Sequence, residues 1–136
     1  MSVFVDTNVW VYRVDRGEPQ KRARAREVLT ELDPGDIVVS AQVLAEFYVT
    51  VSRKLAIPMS PADAASAVND LAALQVVPQD RELVLGALTT CDRHQISLWD
   101  SMIVRAAVIG GCETLLTEDL ADATVIDGVA IENPFL

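Results

Sequence analysis

The chain has 136 residues, about half of them apolar, enough for one domain with a real core and no need of a disulfide framework or structural metal. Its 20 Asp and Glu against 11 Lys and Arg leave a net charge of −9, the wrong sign for gripping nucleic acid by charge alone. Cys91 and Cys112 are the only cysteines, and neither a membrane-length apolar run nor a basic leader precedes the first strand, so a reduced, cytoplasmic protein is expected.

Val3-Phe4-Val5 reads as a short buried strand, with Asp6 at its C-terminal end and a helix beginning at Thr7. An arginine-rich helix follows from Pro19 to Leu32 and stops at Asp33-Pro34-Gly35-Asp36. Ile37 to Val39 is the second strand. Ser40 can cap the next helix, whose apolar face is Val43, Leu44, Phe47, Tyr48, Val51 and Leu55. Ser60-Pro61-Ala62-Asp63 opens another, with serine at the cap and proline at the first helical position. Gln75 to Val77 is a third strand. Helices over Arg81 to Arg93 and Asp100 to Val108 come next, the latter stopped by Gly110-Gly111. Thr114 to Leu116 is a fourth strand, and a weaker pair lies at Thr124 to Ile126 and Val129 to Ile131. Strands alternating with helices predict βαβ units around a parallel sheet, in one doubly wound α/β domain over residues 1–136.

Four acids draw attention, and each has a plain structural alternative. Asp6 and Asp100 can be N-caps, Asp119 an ordinary turn residue, and Glu46 a solvated side chain on the edge of its helix's apolar face. Their places in the chain converge, however. Asp6 and Asp119 end two strands, Asp100 opens a helix entering the same edge, and Glu46 follows the second strand by under two turns. Parallel topology sends all four junctions to one rim of the sheet. Carboxylates gathered there without lysine or histidine repel one another unless a divalent cation neutralises them. Oxygen-only ligation suits Mg²⁺ or Mn²⁺.

Val5-Asp6-Thr7-Asn8, the later Glu46, the helix start Trp99-Asp100-Ser101 and Leu116-Thr117-Glu118-Asp119-Leu120 together resemble the PIN domain. Within it they are most similar to the VapC-type toxins of bacterial and archaeal toxin–antitoxin pairs. The likeness runs on through Val125-Ile126-Asp127-Gly128-Val129 and Ile131-Glu132-Asn133-Pro134-Phe135. It implies a single PIN-like domain, a central parallel sheet flanked by helices on both faces. It also implies a metal-dependent endoribonuclease, with Asp6, Glu46, Asp100 and Asp119 matching the acidic quartet. Asp6, Asp100 and Asp119 are then expected as ligands of Mg²⁺ or Mn²⁺, supported by Thr7, Asn8, Ser101 and Thr117. Glu118 is left outside this set as a solvent-facing neighbour.

The resemblance further implies a cognate antitoxin, DNA contact only through that antitoxin, and a homodimer. Val43, Phe47, Tyr48 and Val51, flanked by the arginine-rich helix, are the expected groove for an antitoxin helix. Arg13, Arg16, Lys21, Arg22, Arg24 and Arg26 are the expected basic rim for an RNA backbone, or else a solvated helix face. Trp10 is the better candidate for base stacking; Trp99 reads as core or interface. Two other readings compete. A phosphatase of the haloacid-dehalogenase type needs a second acid two residues after the first, and here that residue is Asn8. A non-catalytic interaction module would use the acids only as caps and solubilising charge.

Overall fold

A computed structural model describes all 136 residues. Its strands are β1 (Val3–Val5), β2 (Ile37–Ser40), β3 (Gln75–Val77), β4 (Thr114–Leu116), β5 (Val125–Ile126) and β6 (Val129–Glu132). Its helices are α1 (Thr7–Val14), α2 (Pro19–Thr30), α3 (Ala41–Val49), α4 (Pro61–Ala72), α5 (Arg81–His94) and α6 (Leu98–Ile109). The strands form one sheet in the order β3-β2-β1-β4-β6-β5. Every residue of β1 and β2 is buried, as central parallel strands covered on both faces must be.

The connections step from β1 to β2 to β3 in one direction, then return across β1 to β4. Right-handed crossovers therefore place α1 to α4 on one face and α5 and α6 on the other. The packing agrees: α1 meets α2 and α3, α3 meets α4, and α5 lies along α6. The winding reverses between β1 and β4, so the crevice beyond their C-terminal ends is a topological switch point. Val5 pairs with Leu116, and the Asp6 amide donates to the Leu116 carbonyl at 3.0 Å, so the two chain exits leave side by side.

The sheet departs from the wholly parallel expectation at one edge. Four strand pairings are parallel, but β5 runs antiparallel to β6. The reason is the two-residue turn Asp127-Gly128, both with positive φ (49° and 82°), which folds a hairpin rather than a crossover. The last helix also starts earlier than expected. Ser97, not Asp100, is its cap, its hydroxyl accepting the Asp100 amide at 3.0 Å. At the other end, Gly110 allows α6 to close on the sheet, since a Cβ there would stand 2.9 Å from Val38 Cγ1.

Ser40 caps α3, which continues into a wider π-type turn over Thr50–Lys54. Val43, Phe47 and Val51, four residues apart, are wholly buried in the core and line no groove. The apolar cleft left open on α3 is instead Leu44, Tyr48 and Val49, and its other wall is Ala65 and Val68 of α4 rather than α2. Trp10 is likewise core, its indole N–H donating to the Val5 carbonyl at 3.1 Å, so it is no stacking platform. Trp99 is the exposed one, at 66% of its surface. No helix is long and apolar enough to cross a membrane.

Candidate active site

Asp6 is buried at the switch point. One carboxylate oxygen caps α1 by accepting the Thr7 amide at 2.7 Å. The other accepts the Thr117 hydroxyl at 2.8 Å and faces the Asn8 amide group at 3.5 Å. The cap and the site are thus the same residue, one oxygen each. Burial pushes the Asp6 carboxyl up to about 7, against the pull of the Thr117 and Thr7 hydrogen bonds; Asp119 and Glu46 raise it further by repulsion.

Asp119 is exposed just past β4, its amide donating to the Thr117 hydroxyl at 3.0 Å. Its carboxylate accepts the Asn8 side-chain amide at 3.1 Å, and the same amide also reaches Thr117 at 3.2 Å. Glu46 is exposed on α3, its carboxylate 3.4 Å from the Thr7 hydroxyl. Asp100, half-buried in the first turn of α6, is raised above the usual carboxylate range by burial and by Asp119, against the Ser97 hydrogen bond. Asp6, just past β1, is thus repelled by Asp119 past β4 and by Glu46 on α3, and Asp100 on α6 is repelled by Asp119. Thr7, Asn8 and Thr117 bond to them. Ser101 does not: its hydroxyl donates to the Ser97 carbonyl at 2.8 Å inside the helix.

No cation answers this cluster, because every ion pair of the chain uses other acids. As the side chains stand, no three acids, histidines or cysteines are gathered closely enough to enclose a metal ion. The Asn8 amide lies between Asp6 and Asp119 and bonds to both. Asp6 and Asp119 repel one another, and this shared donor bridges them.

A family model for the PIN domain matches residues 3–123. The chain belongs to the PIN-domain family. Comparison with curated proteins finds no match. Among solved structures, this PIN domain is similar to Mycobacterium tuberculosis VapC20, described as a sarcin-ricin loop cleaving toxin. That match has 20% identity and a TM-score of 0.68, over 84% of this chain and 87% of that one. It is also similar to the DNA-bound VapBC of Salmonella typhimurium, at 19% identity and a TM-score of 0.70, over 98% of each chain. A third is FitAcB of Neisseria gonorrhoeae, at 20% identity and a TM-score of 0.66, again over 98% of each. At these identities the likeness is one of fold.

The PIN domain carries further polar residues at this edge that sequence reasoning missed or misplaced. Glu118 does not face solvent. It accepts the Tyr12 hydroxyl and the Lys21 ammonium, the latter at 3.0 Å, and its amide donates to Asn8 at 3.3 Å. Lys21 also lies over the rings of Tyr12 and Phe135, tying α1, α2 and the tail together. Asp15 is buried at the end of α1, its carboxylate accepting the Gly17 amide at 2.9 Å, and shares a cleft with Thr7, Asn8, Glu46 and Asp119. Only the adjacency of Glu118 to Asp119 could have signalled this, since the partners are about a hundred residues away.

Proposed function

We propose that this PIN domain is the toxin of a VapBC-type pair, an endoribonuclease that hydrolyses RNA phosphodiester bonds with Mg²⁺ or Mn²⁺. The observation supporting this reading is a set of repelling acids at the switch point, Asp6 with Asp119 and Glu46 and Asp100 with Asp119, none of them paired with a cation. The donor set fits a hard divalent ion: all the ligating atoms are carboxylate oxygens, and the buried Asp6 is pushed up to about 7 in part by its acidic neighbours. Asp6, Asp100 and Asp119 are the residues that would hold the ion. When bound, it would lower the pKa of a coordinated water and offset charge developing on the scissile phosphate.

The chain's own residues set the rest. Thr117 and the Thr7 amide hold Asp6 in one orientation, so its carboxylate does not have to be ordered when the substrate arrives. Asn8 fixes Asp119 in the same way and would have to release one acid for both to turn toward an ion. Glu46 or Asp119, both exposed on the cleft, would orient an attacking water, and no 2′-hydroxyl nucleophile is needed.

Partners belong to the same reading: a cognate antitoxin, DNA reached through it, and a second copy of this chain. Toxin–antitoxin complexes from Klebsiella pneumoniae and Salmonella typhimurium share the fold, the second bound to DNA. The open apolar strip of Leu44, Tyr48 and Val49 is where an amphipathic partner helix would lie.

Purified protein incubated with structured RNA should cleave it in Mg²⁺ or Mn²⁺ and not in EDTA. Asp6→Asn and Asp100→Asn should each lower the rate by more than the ~10²-fold typical for losing a supporting group. Cleavage that survives EDTA, or variants that cut as fast as the parent, would remove the nuclease reading.

A further inference from the structure

Six of the 11 Lys and Arg side chains have no carboxylate in ion-pair reach: Arg13, Arg16, Arg22, Arg26, Arg53 and Lys54. In a chain where acids outnumber bases, that is a conspicuous omission, and four of the six fall in one short stretch. The expected basic rim thereby divides. Lys21 is neutralised by Glu118, and Arg24 by Glu27 and the Pro134 carbonyl. Arg13 lies over the Trp10 ring, 4.9 Å from its centre. Arg16, Arg22 and Arg26 instead converge on one cleft, closed on its far side by residues 57–60 before α4.

The cleft is built to receive something. Its volume of about 340 Å³ exceeds by far the ~30 Å³ share of one water. The Arg22 Nε is buried yet has no hydrogen-bond partner, an omission proteins rarely leave. Arg26 spends its Nε on the Arg13 carbonyl at 3.0 Å, which braces α2 against α1. Asp63, exposed, is the only acid on the walls.

This basic cleft adjoins the acidic one. Asp15 and Leu55 line the acidic cleft, while their chain neighbours Val14, Arg16 and Ile57 line the basic one. Beside these lining residues in the chain, Gly17 and Ala56 approach each other, a Cβ on Gly17 standing 3.7 Å from Ala56. The eight residues of α1, from Thr7 beside Asp6 to Val14, span ~12 Å, a reach of a few nucleotides.

We propose that Arg16, Arg22 and Arg26 bind a backbone phosphate of the RNA strand whose scissile bond lies at the acid edge. The proposal rests on the nuclease reading for the strand's course and names the contact that holds it. Planar guanidinium forks match phosphate oxygens in pairs, which a lysine does not. Such a contact also answers the charge objection, because a net charge of −9 need not repel RNA that enters along the one uncompensated positive wall.

The test is binding of fluorescein-labelled oligouridylate in EDTA, followed by fluorescence anisotropy over a range of salt concentrations. Arg22→Gln and Arg26→Gln should weaken binding and flatten the slope of log affinity against log salt by up to about 0.7, the share of one phosphate. Arg53→Gln and Lys54→Gln, equally unpaired but outside the cleft, should leave both unchanged. Arg16→Gln, in an exposed loop, carries the test if substitution in α2 disturbs folding, which circular dichroism will reveal. Equal affinity of cleft variants and parent, or no binding by the parent, overturns the proposal. So does a cleft whose variants keep RNA but lose an acidic peptide such as oligoglutamate. Arginine-dependent RNA binding by a protein that fails to cleave would keep the phosphate contact while removing the nuclease.

Discussion

Thr117 saturates a hydroxyl. Its one proton goes to Asp6, and its two lone pairs accept the Asn8 amide group and the Asp119 N–H. It is wholly buried, so no water can replace those bonds. Thr117→Val keeps the shape and deletes all three, which should cost about 1–3 kcal/mol in denaturant unfolding. If Asp6 and Asp119 hold the ion, the Mg²⁺ concentration giving half-maximal cleavage should rise about 10–100-fold. Thr117→Ser should restore it, which simple loss of packing would not allow. A Val variant with unaltered Mg²⁺ demand would show that Thr117 only stabilises the fold. From sequence, Thr117 could be matched to a family position, but its bonds to residues over a hundred positions away were not legible. Asp6 was legible because a strand end marks its place. Glu46 was not, since helical spacing put it on an edge and only the resemblance singled it out.

The elements were legible where local chemistry and packing agree. Val3–Val5, Gln75–Val77 and Thr114–Leu116 fall where the apolar runs put them, and Ser40 and Ser60 cap as expected. The start of α6 was misplaced although Ser97-Leu98-Trp99-Asp100 carries a capping-box spacing; the neighbouring acid at 100 drew attention instead. The groove failed for a different reason, since a helix face predicts burial but not which neighbour covers it. Asp127 enters the sequence reading only within the tail string that carries the resemblance, with no role attached. Its carboxylate accepts the Thr90 hydroxyl and lies 3.1 Å from His94 Nε2, 3.7 Å from Arg93 and 3.9 Å from Arg105, clasping the β5–β6 hairpin to α5 and α6. Burial works to raise its pKa, but those hydrogen bonds and charges hold it below the ordinary value. A lowered folded pKa gives stability present above the unfolded value of about 3.9 and lost as pH falls through the folded one. Asp127→Asn suits the positive φ and should be about 1–3 kcal/mol less stable at pH 7. The gap should narrow steadily in urea unfolding below about pH 4. A gap independent of pH would assign the loss to geometry alone.

At the scale of the whole molecule, two patches of unpaired charge lie side by side. Asp6, Glu46, Asp100 and Asp119, none of them ion-paired, stand at the switch point, and three of the unpaired arginines meet in the adjoining cleft. Burial, and behind it the neighbouring carboxylates, disfavours the charged form of Asp6, and a bound cation would offset that cost, so the ion should stabilise the native state and not the unfolded chain. At a Mg²⁺ concentration 100 times its Kd, that linkage is worth ~2.7 kcal/mol. For a domain of this size it should appear as a rise in Tm of about 10 °C. General screening is the competing cause, since salt also softens repulsion between exposed acids. NaCl at matched ionic strength separates the two, for it screens without ligating. Asp6→Asn separates them again: removing the buried carboxylate should abolish most of the Mg²⁺ response. Equal rises in NaCl and MgCl₂, or an unchanged response in Asp6→Asn, would mean that the acids are a solvated cluster and that no ion is held at the switch point.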